Sequence, residues 1–250
     1  MENYMSEVEG PFTLAIDIGG TGLKADVIDR HGQPVVARKK VPTPHPAPTA
    51  LVLDGLRSMV AELPPFDRIS AGFPGVVKHG RILTAPNLGT DDWHGFDLAN
   101  ALYENFDRPA RVLNDAEVQG FGVIEGKGLE LVLTLGTGAG TALFRDGELM
   151  PHLELAQHPV RDDKTYDQYI GNAALEEKGR DHWNRRVERV IGILAVLTNF
   201  DLLHLGGGNA EKVKSLPPKV VRGSNEAGLT GGVKLWGEGW PKGERWAPDN

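Results

Sequence analysis

The sequence predicts an α/β protein of two facing halves, and three observations carry that reading. A strand–glycine turn–strand unit occurs twice, at 14–29 and again at 131–147. Around the two copies, short apolar runs alternate with stretches whose apolar residues recur every three or four positions, so strands alternate with helices. At 250 residues the chain is also long enough to give each half a core of its own.

The first unit begins with the apolar strand Leu14-Ala-Ile-Asp-Ile18, turns through Gly19-Gly-Thr-Gly22 and returns through a second alternating strand to Asp29. Such a hairpin is built around exposed backbone N–H groups, a geometry suited to phosphate. Gly20-Thr-Gly22-Leu-Lys-Ala25 formally fits a dinucleotide fingerprint, but that motif needs a helix after the glycines. Here the following residues alternate and run into His31-Gly32, and Lys39 and Lys40 stand where an acidic residue is required. No glycine–lysine pair is followed by Ser or Thr, so a Walker loop is absent.

A further strand is expected near Pro34 to Val41, then a proline-rich connector from Pro42 to Pro48. Val52, Leu56, Met59, Val60 and Leu63 share one helical face, and Pro64-Pro65 stops that helix. The run 69–77 reads as a strand leaving through a turn, with Lys78-His-Gly80 closing a hairpin. Asp97 caps a short helix carrying Leu98, Ala101, Leu102 and Phe106. Arg111-Val-Leu113 is a brief strand, followed at Asn114-Asp115 by a helix to about Ile124. Asp115 at that junction is open to two readings, a simple cap or a carboxylate with a chemical task. After the second glycine unit, one long amphipathic helix is expected over 173–200, its apolar face made by Trp183, Val187, Val190, Ile191, Leu194 and Leu197. Leu202 to Leu205 form a strand ending in Gly206-Gly-Gly208, and 223–232 reads as another glycine-punctuated helix start.

Composition narrows the function. Charged residues make up 24% and hydrophobic ones 40%, as in ordinary soluble proteins, and the net charge of −7 gives nucleic-acid binding little support. With no cysteine, disulfides and thiolate–zinc sites are excluded. Residues 1–11 lack the apolar core of a signal peptide, and no run approaches a membrane span, so a cytoplasmic protein without membrane partners is expected.

Taken in order, Asp17-Ile-Gly-Gly-Thr21, Pro86-Asn87, Asn114-Asp-Ala116, Gly136-Thr-Gly138, Glu154-Leu155 and Gly206-Gly-Gly208 resemble the ROK family of sugar kinases, in the actin-like ATPase/hexokinase superfamily. Gly72-Phe-Pro-Gly-Val-Val77, Leu133-Thr-Leu-Gly-Thr-Gly138 and Ala142-Leu-Phe144 are similar to the polyphosphate glucokinase branch. The resemblance runs from about residue 12 to 235 and implies a two-lobed actin-like (ribonuclease H-like) fold with a duplicated βββαβα core. It implies lobes at 12–113 and 114–235; residues 1–11 are expected to be disordered, and the tail at 236–250, rich in Gly, Pro, Trp and charge, to pack loosely or be disordered.

The resemblance also implies roles. Asp115 is the catalytic base, kept ionised by its helix N-terminus. Asn87, Asn114, Asp115 and Glu154 hold the sugar hydroxyls. Asp17 positions Mg²⁺, directly or through water, while Gly19, Gly20, Thr21, Gly136, Thr137 and Gly138 offer donors to the transferring phosphoryl group. Lys24 either adds positive charge there or points to solvent. Gly206, Gly207 and Gly208 match the turn that approaches a nucleoside.

Two departures stand out. The cysteine-rich zinc motif of many ROK kinases is missing, as in the polyphosphate-type members, so no zinc is expected. The family's Glu-Leu-Gly-His reads Glu154-Leu-Ala-Gln-His158 here. Gln157 can bond a hydroxyl but cannot carry a proton as imidazole does, and His158 either compensates or is structural. The function implied is a hexose kinase using ATP or inorganic polyphosphate, with O6 of glucose as first choice of acceptor and a homodimer as the assembly. The alternative is a catalytically impaired sugar sensor. A ROK-type repressor needs a helix-turn-helix ahead of Leu14, for which the preceding residues leave no room.

Overall fold

Alternation along Leu14, Ile16 and Ile18 buries one face of a strand almost completely, and this strand seeds the first sheet. The structure is a computed structural model describing residues 9–223, 227–237 and 247. The first half comprises β1 (Thr13–Ile18), β2 (Gly22–Ile28), β3 (Lys39–Pro42), α1 (Thr49–Val60), β4 (Arg68–Phe73), the hairpin β5 (Val77–Lys78) and β6 (Arg81–Ile82), α2 (Thr90–Trp93), α3 (Leu98–Phe106) and β7 (Ala110–Asn114). The expected strand at 34–41 is shorter. Pro34 makes one isolated bridge to Ile28, and regular pairing starts only at Lys39, because a proline cannot donate to a ladder.

The second half follows with α4 (Asp115–Val123), β8 (Leu129–Leu135), β9 (Ala139–Arg145), β10 (Glu148–Leu149), β11 (Pro159–Arg161), β12 (Lys164–Thr165), α5 (Tyr166–Ile170), α6 (Asn172–Lys178), α7 (Arg180–Thr198), β13 (Leu202–Gly206), β14 (Val220–Arg222) and α8 (Ala227–Lys234). The single helix expected at 173–200 is broken. Gly179, at φ +73°, ends α6, and α7 starts anew behind it. Trp183 is fully buried and donates its indole N–H to the Ile170 carbonyl, 2.8 Å away. Leu197, expected on the apolar face, is half exposed because α7 has left the core by its last turn.

The two sheets repeat one topology. Their strand orders are β3-β2-β1-β4-β7 and β10-β9-β8-β13-β14, each an antiparallel meander joined on one side by two parallel strands. This is the duplicated actin-like core. Each sheet carries its own apolar cluster, one centred on Phe73 and Trp93 and the other on Trp183 and α7. Among the described residues no helix is long and apolar enough to cross a membrane.

Helices α4 and α8 cross between the sheets at very close range. A Cβ on Gly231 would meet the Val118 carbonyl oxygen at 1.8 Å, and one on Gly122 would meet that of Ala227 at 2.0 Å. Only glycine at both points permits the crossing. From α8 the chain reaches back to the first sheet, where Ser70 Oγ donates to the Gly232 carbonyl and Trp236 Nε1 donates to Ser70 Oγ. The Arg111 guanidinium lies 4.4 Å from the Trp236 ring, and Ala247 pairs antiparallel with Ala110. Within the tail expected to pack loosely or be disordered, Trp236 and Ala247 make these defined contacts; positions 238–246 and 248–250 lie outside the described residues.

Candidate active site

Parallel strands deliver functional residues to one edge. Asp17 on β1 pairs in register with Gly72 on β4, which pairs with Leu113 on β7, so Asp17, Phe73-Pro74 and Asn114-Asp115 share the carboxyl end of the first sheet. Clefts form at such edges. The carboxyl end of β8, with its glycine turn, faces the same space. The resulting cavity, of about 330 Å³, is lined by Asp17, Gly19, Gly20, Thr21, Lys24, Asn87, Asn114, Asp115, Gly136, Thr137, Gly138, Glu154, Gln157, Gly207 and Gly208. The structure thus gathers residues separated by up to 191 positions around one small-ligand volume. Two of the expected residues are not brought there. Gly206 lies just behind the lining, and His158 is exposed, its ring tilted against Tyr166 at 5.4 Å between centroids.

The two glycine turns are braced rather than loose. In the first, Gly19 N–H donates to Gly22 O and Thr43 Oγ1 donates to Gly19 O at 2.5 Å. In the second, Gly136 N–H donates to Gly138 O, Ala139 N–H donates to Asp167 Oδ1, and Asn172 N–H donates to Thr137 O. A side chain at Gly138 is impossible, since its Cβ would meet Asp167 Oδ1 at 1.8 Å. The amides of Gly19 and Gly136, expected as phosphate donors, are spent inside the turns. Those of Gly20, Thr21, Thr137 and Gly138 make no backbone hydrogen bond among the described residues, leaving a free pair on each side.

Asn114 and Asp115 divide their labour. Asn114 is the N-cap of α4: its Oδ1 accepts from Ala116 N–H, and Glu117 closes the capping box by accepting from Asn114 N–H at 3.1 Å. Its Nδ2 donates to the Gly75 carbonyl at 3.1 Å. A simple cap at Asp115 is thereby unnecessary, and its carboxylate lies in the cleft wall. The helix N-terminus, expected to keep Asp115 ionised, is opposed by stronger influences. Burial, then the nearby charge of Asp17, raise its pKa to about 7 despite the Ala116 N–H, with Glu154 and Glu117 adding to the rise.

Asp17 is paired with Lys24, Nζ to Oδ2 at 2.7 Å, so Lys24 faces the cleft rather than open solvent. The carboxylate holds one oxygen away from that pair and is about half exposed. A lone carboxylate of this kind fits a Mg²⁺ that arrives with donor phosphates supplying its other ligands. Among the described residues no cluster of three or more His, Asp or Glu offers an all-protein cage.

One residue absent from the expectations is central. His152 lines the cavity between Glu117 and Glu154, with Nδ1 2.7 Å from Glu117 Oε1 and Nε2 2.8 Å from Glu154 Oε1. Burial favours the neutral ring, but the hydrogen bonds and charges of both carboxylates outweigh it and push the pKa up to about 10. The imidazolium therefore donates from both nitrogens. A lone histidine between Pro151 and Leu153 carries no spacing signal, and Glu117 is 35 positions away, so only the fold reveals the contact.

A second cavity of about 410 Å³ adjoins the first, sharing Asp17, Lys24, Asp115, Gln119, Gly207 and Gly208. It runs between the first sheet and α8, past Asp26, Arg38 and Glu211. Arg38 reaches the buried Asp26 at 2.6 Å.

The sequence profile of the ROK family matches residues 13–151. The chain is 30% identical over 230 residues to polyphosphate glucokinase of Mycobacterium tuberculosis, covering 85% of both chains. Among solved structures, inorganic polyphosphate/ATP-glucomannokinase from Arthrobacter sp. strain KM superposes with a TM-score of 0.81 at 31% identity, over 90% of this chain and 97% of that one. A ROK family glucokinase from Streptomyces griseus, in complex with glucose and AMPPNP, shares the fold with a TM-score of 0.74 at 21% identity, over 90% and 98% of the two chains. With its duplicated sheets, its paired glycine turns and this match over most of its length, the chain belongs to the ROK family.

Proposed function

We propose that the protein is a hexose kinase that transfers a phosphoryl group from ATP or inorganic polyphosphate to a sugar hydroxyl, with O6 of glucose as the first choice. The single observation that carries this reading is the convergence of Asp115 and both glycine turns on one cavity of about 330 Å³. Phosphoryl transfer needs mainly positioning and electrostatic stabilisation, and the free amides of the two turns face that task. The adjoining cavity supplies a course for the donor past Lys24 and Arg38 toward the turns.

The acceptor half is built around Asn87, Glu154 and Asp115. The attacking hydroxyl donates to the Asp115 carboxylate, which takes the proton as the new P–O bond forms and the bond to the donor's bridging oxygen breaks, releasing ADP or a polyphosphate one unit shorter. A base whose pKa lies near 7 suits that exchange at neutral pH. Lys24, released from Asp17, turns to the donor phosphates, and Asp17 would hold a Mg²⁺ whose charge would neutralise that of the transferring group. The lobes at 12–113 and 114–235 close over both substrates and keep water, the competing nucleophile, away. The assembly is a homodimer, testable by sedimentation.

Gln157 in place of the family's histidine favours the sensor as second reading. One assay separates the two: sugar-6-phosphate formation from glucose with Mg²⁺, comparing ATP with polyphosphate. Turnover with either donor supports the kinase and names its donor. Glucose raising the melting temperature without turnover from either donor makes the protein a sensor.

A further inference from the structure

The Glu-Leu-Ala-Gln run lacks the imidazole found in the family pattern, yet an imidazole stands in the cleft from two positions upstream of Glu154. Glu154 sits just before a single 3-10 turn, Leu155–Gln157, and beside Leu153, which is half exposed. A glutamate on such a loop has rotamer freedom that it loses only if something holds it. His152 is what holds it. Its Nε2 bonds Glu154 Oε1, and Oε2 has no partner among the described residues. The opposite nitrogen bonds Glu117, which is 3% exposed and uses its second oxygen on the Asn114 N–H. One chain of hydrogen bonds therefore runs from the capping box beneath Asp115, through Glu117 and His152, to Glu154.

We propose that His152 is the positioning residue of the acceptor half of the cleft, anchoring on Glu117 and fixing the Glu154 carboxylate toward the sugar hydroxyls; the assignment rests on the hexose-kinase reading above. Its charge serves the same end. Asp17, paired with Lys24, and Asp115, Glu117, Glu154 and Asp167 all bear on this space, and the repulsion of its neighbours would drive the exposed Glu154 outward were no cation beside it. The imidazolium removes that repulsion where Glu154 needs it. Gln157, which lines the cavity but makes no side-chain hydrogen bond among the described residues, leaves the task to His152.

Steady-state kinetics on wild type, His152→Ala, His152→Gln, Glu154→Gln and the double variant His152→Ala/Glu154→Gln test the assignment. His152→Ala is expected to raise the hexose KM roughly 10–100-fold, the range for a displaced substrate-positioning group, while kcat and the donor KM stay within about threefold. His152→Gln, able to donate from one nitrogen instead of two, is expected to recover part of the loss. With Glu154→Gln already present, His152→Ala should add less than about threefold, because the two act as a unit. A merely structural histidine would lower stability and leave the two effects independent. An unchanged hexose KM in folded His152→Ala overturns the proposal, as do independent effects in the double variant. Should His152→Ala fail to fold, His152→Gln decides in the same way, by a raised or an unchanged hexose KM. The wild type is assayed first: no turnover of any hexose from either donor refutes the kinase reading and this assignment together. Wild-type turnover with unaltered variants refutes His152 alone.

Discussion

Asp115 joins a catalytic expectation to a stability expectation. General-base catalysis is worth about 10²–10⁴-fold, so Asp115→Asn should lower kcat by that much while calorimetry still finds glucose bound. Since the base must be ionised, kcat/KM of the free enzyme should fall about tenfold per pH unit below about 7. Stability has the opposite sign. The folded pKa lies above the ordinary aspartate value of 3.8, so the protonated form is favoured by folding. Stability is full below about pH 4 and is lost as pH rises through 7. Asp115→Asn should therefore melt at a higher temperature than wild type at pH 8, with the gap closing toward pH 4; a gap that does not depend on pH would show that Asp115 is not buried as a strained charge. Asp17 and Asp115 were legible in the sequence because each stands where a strand gives way to a marked turn or helix start, whereas Glu154 was legible only through the resemblance of Glu154-Leu155 to the family's motif. His152 was not, since its meaning lies in two carboxylates brought to it by the fold. His158 was misleading for a related reason: the 3-10 turn carries it out against Tyr166.

At the level of elements, periodicity located both hairpins, α1 and α3, and the Asn114-Asp115 junction located the start of α4, which is buried on more than one face. Periodicity overran where backbone conformation rather than pattern decides. The apolar spacing continues through 173–200, but Gly179 interrupts it, and Pro34 delays β3. The crossing of α4 and α8 was also hidden, as glycines in a helix read simply as weak helix formers. Their value lies in the absent Cβ. Gly231→Ala forces a methyl group to within 1.8 Å of the Val118 carbonyl oxygen, so one helix must shift. Overpacking of this kind costs about 1–3 kcal/mol, although alanine is the better helix former. Urea denaturation should show the midpoint falling in Gly231→Ala. A midpoint at or above wild type would mean that the helices cross with more room than the structure gives them.

The whole molecule is two similar sheets whose cleft is lined from both sides, and on the proposed hexose-kinase reading this arrangement makes ligand binding a mechanical event. Asn87 belongs to the first half, lying against the first glycine turn where a Cβ on Gly20 would meet its Cβ at 2.9 Å. Glu154 belongs to the second half, held from α4 through His152. A sugar bonded to both residues has its strongest contacts only when the halves approach, so its differential affinity favours the closed state. Between the halves, the α4–α8 crossing and the Trp236 and Ala247 contacts tie the first sheet to the second, which directs the motion to the open end of the cleft. Solution scattering should accordingly show the radius of gyration falling when glucose is added, without any phosphoryl donor. Asn87→Ala should weaken glucose binding and abolish the contraction even at saturating sugar, because one half has lost its grip. Asp115→Asn should preserve it, because closure needs the hydroxyl contacts and not the proton transfer. An unchanged radius in wild type at saturating glucose would mean that the cleft is already closed, and that water is excluded by the donor rather than by the sugar.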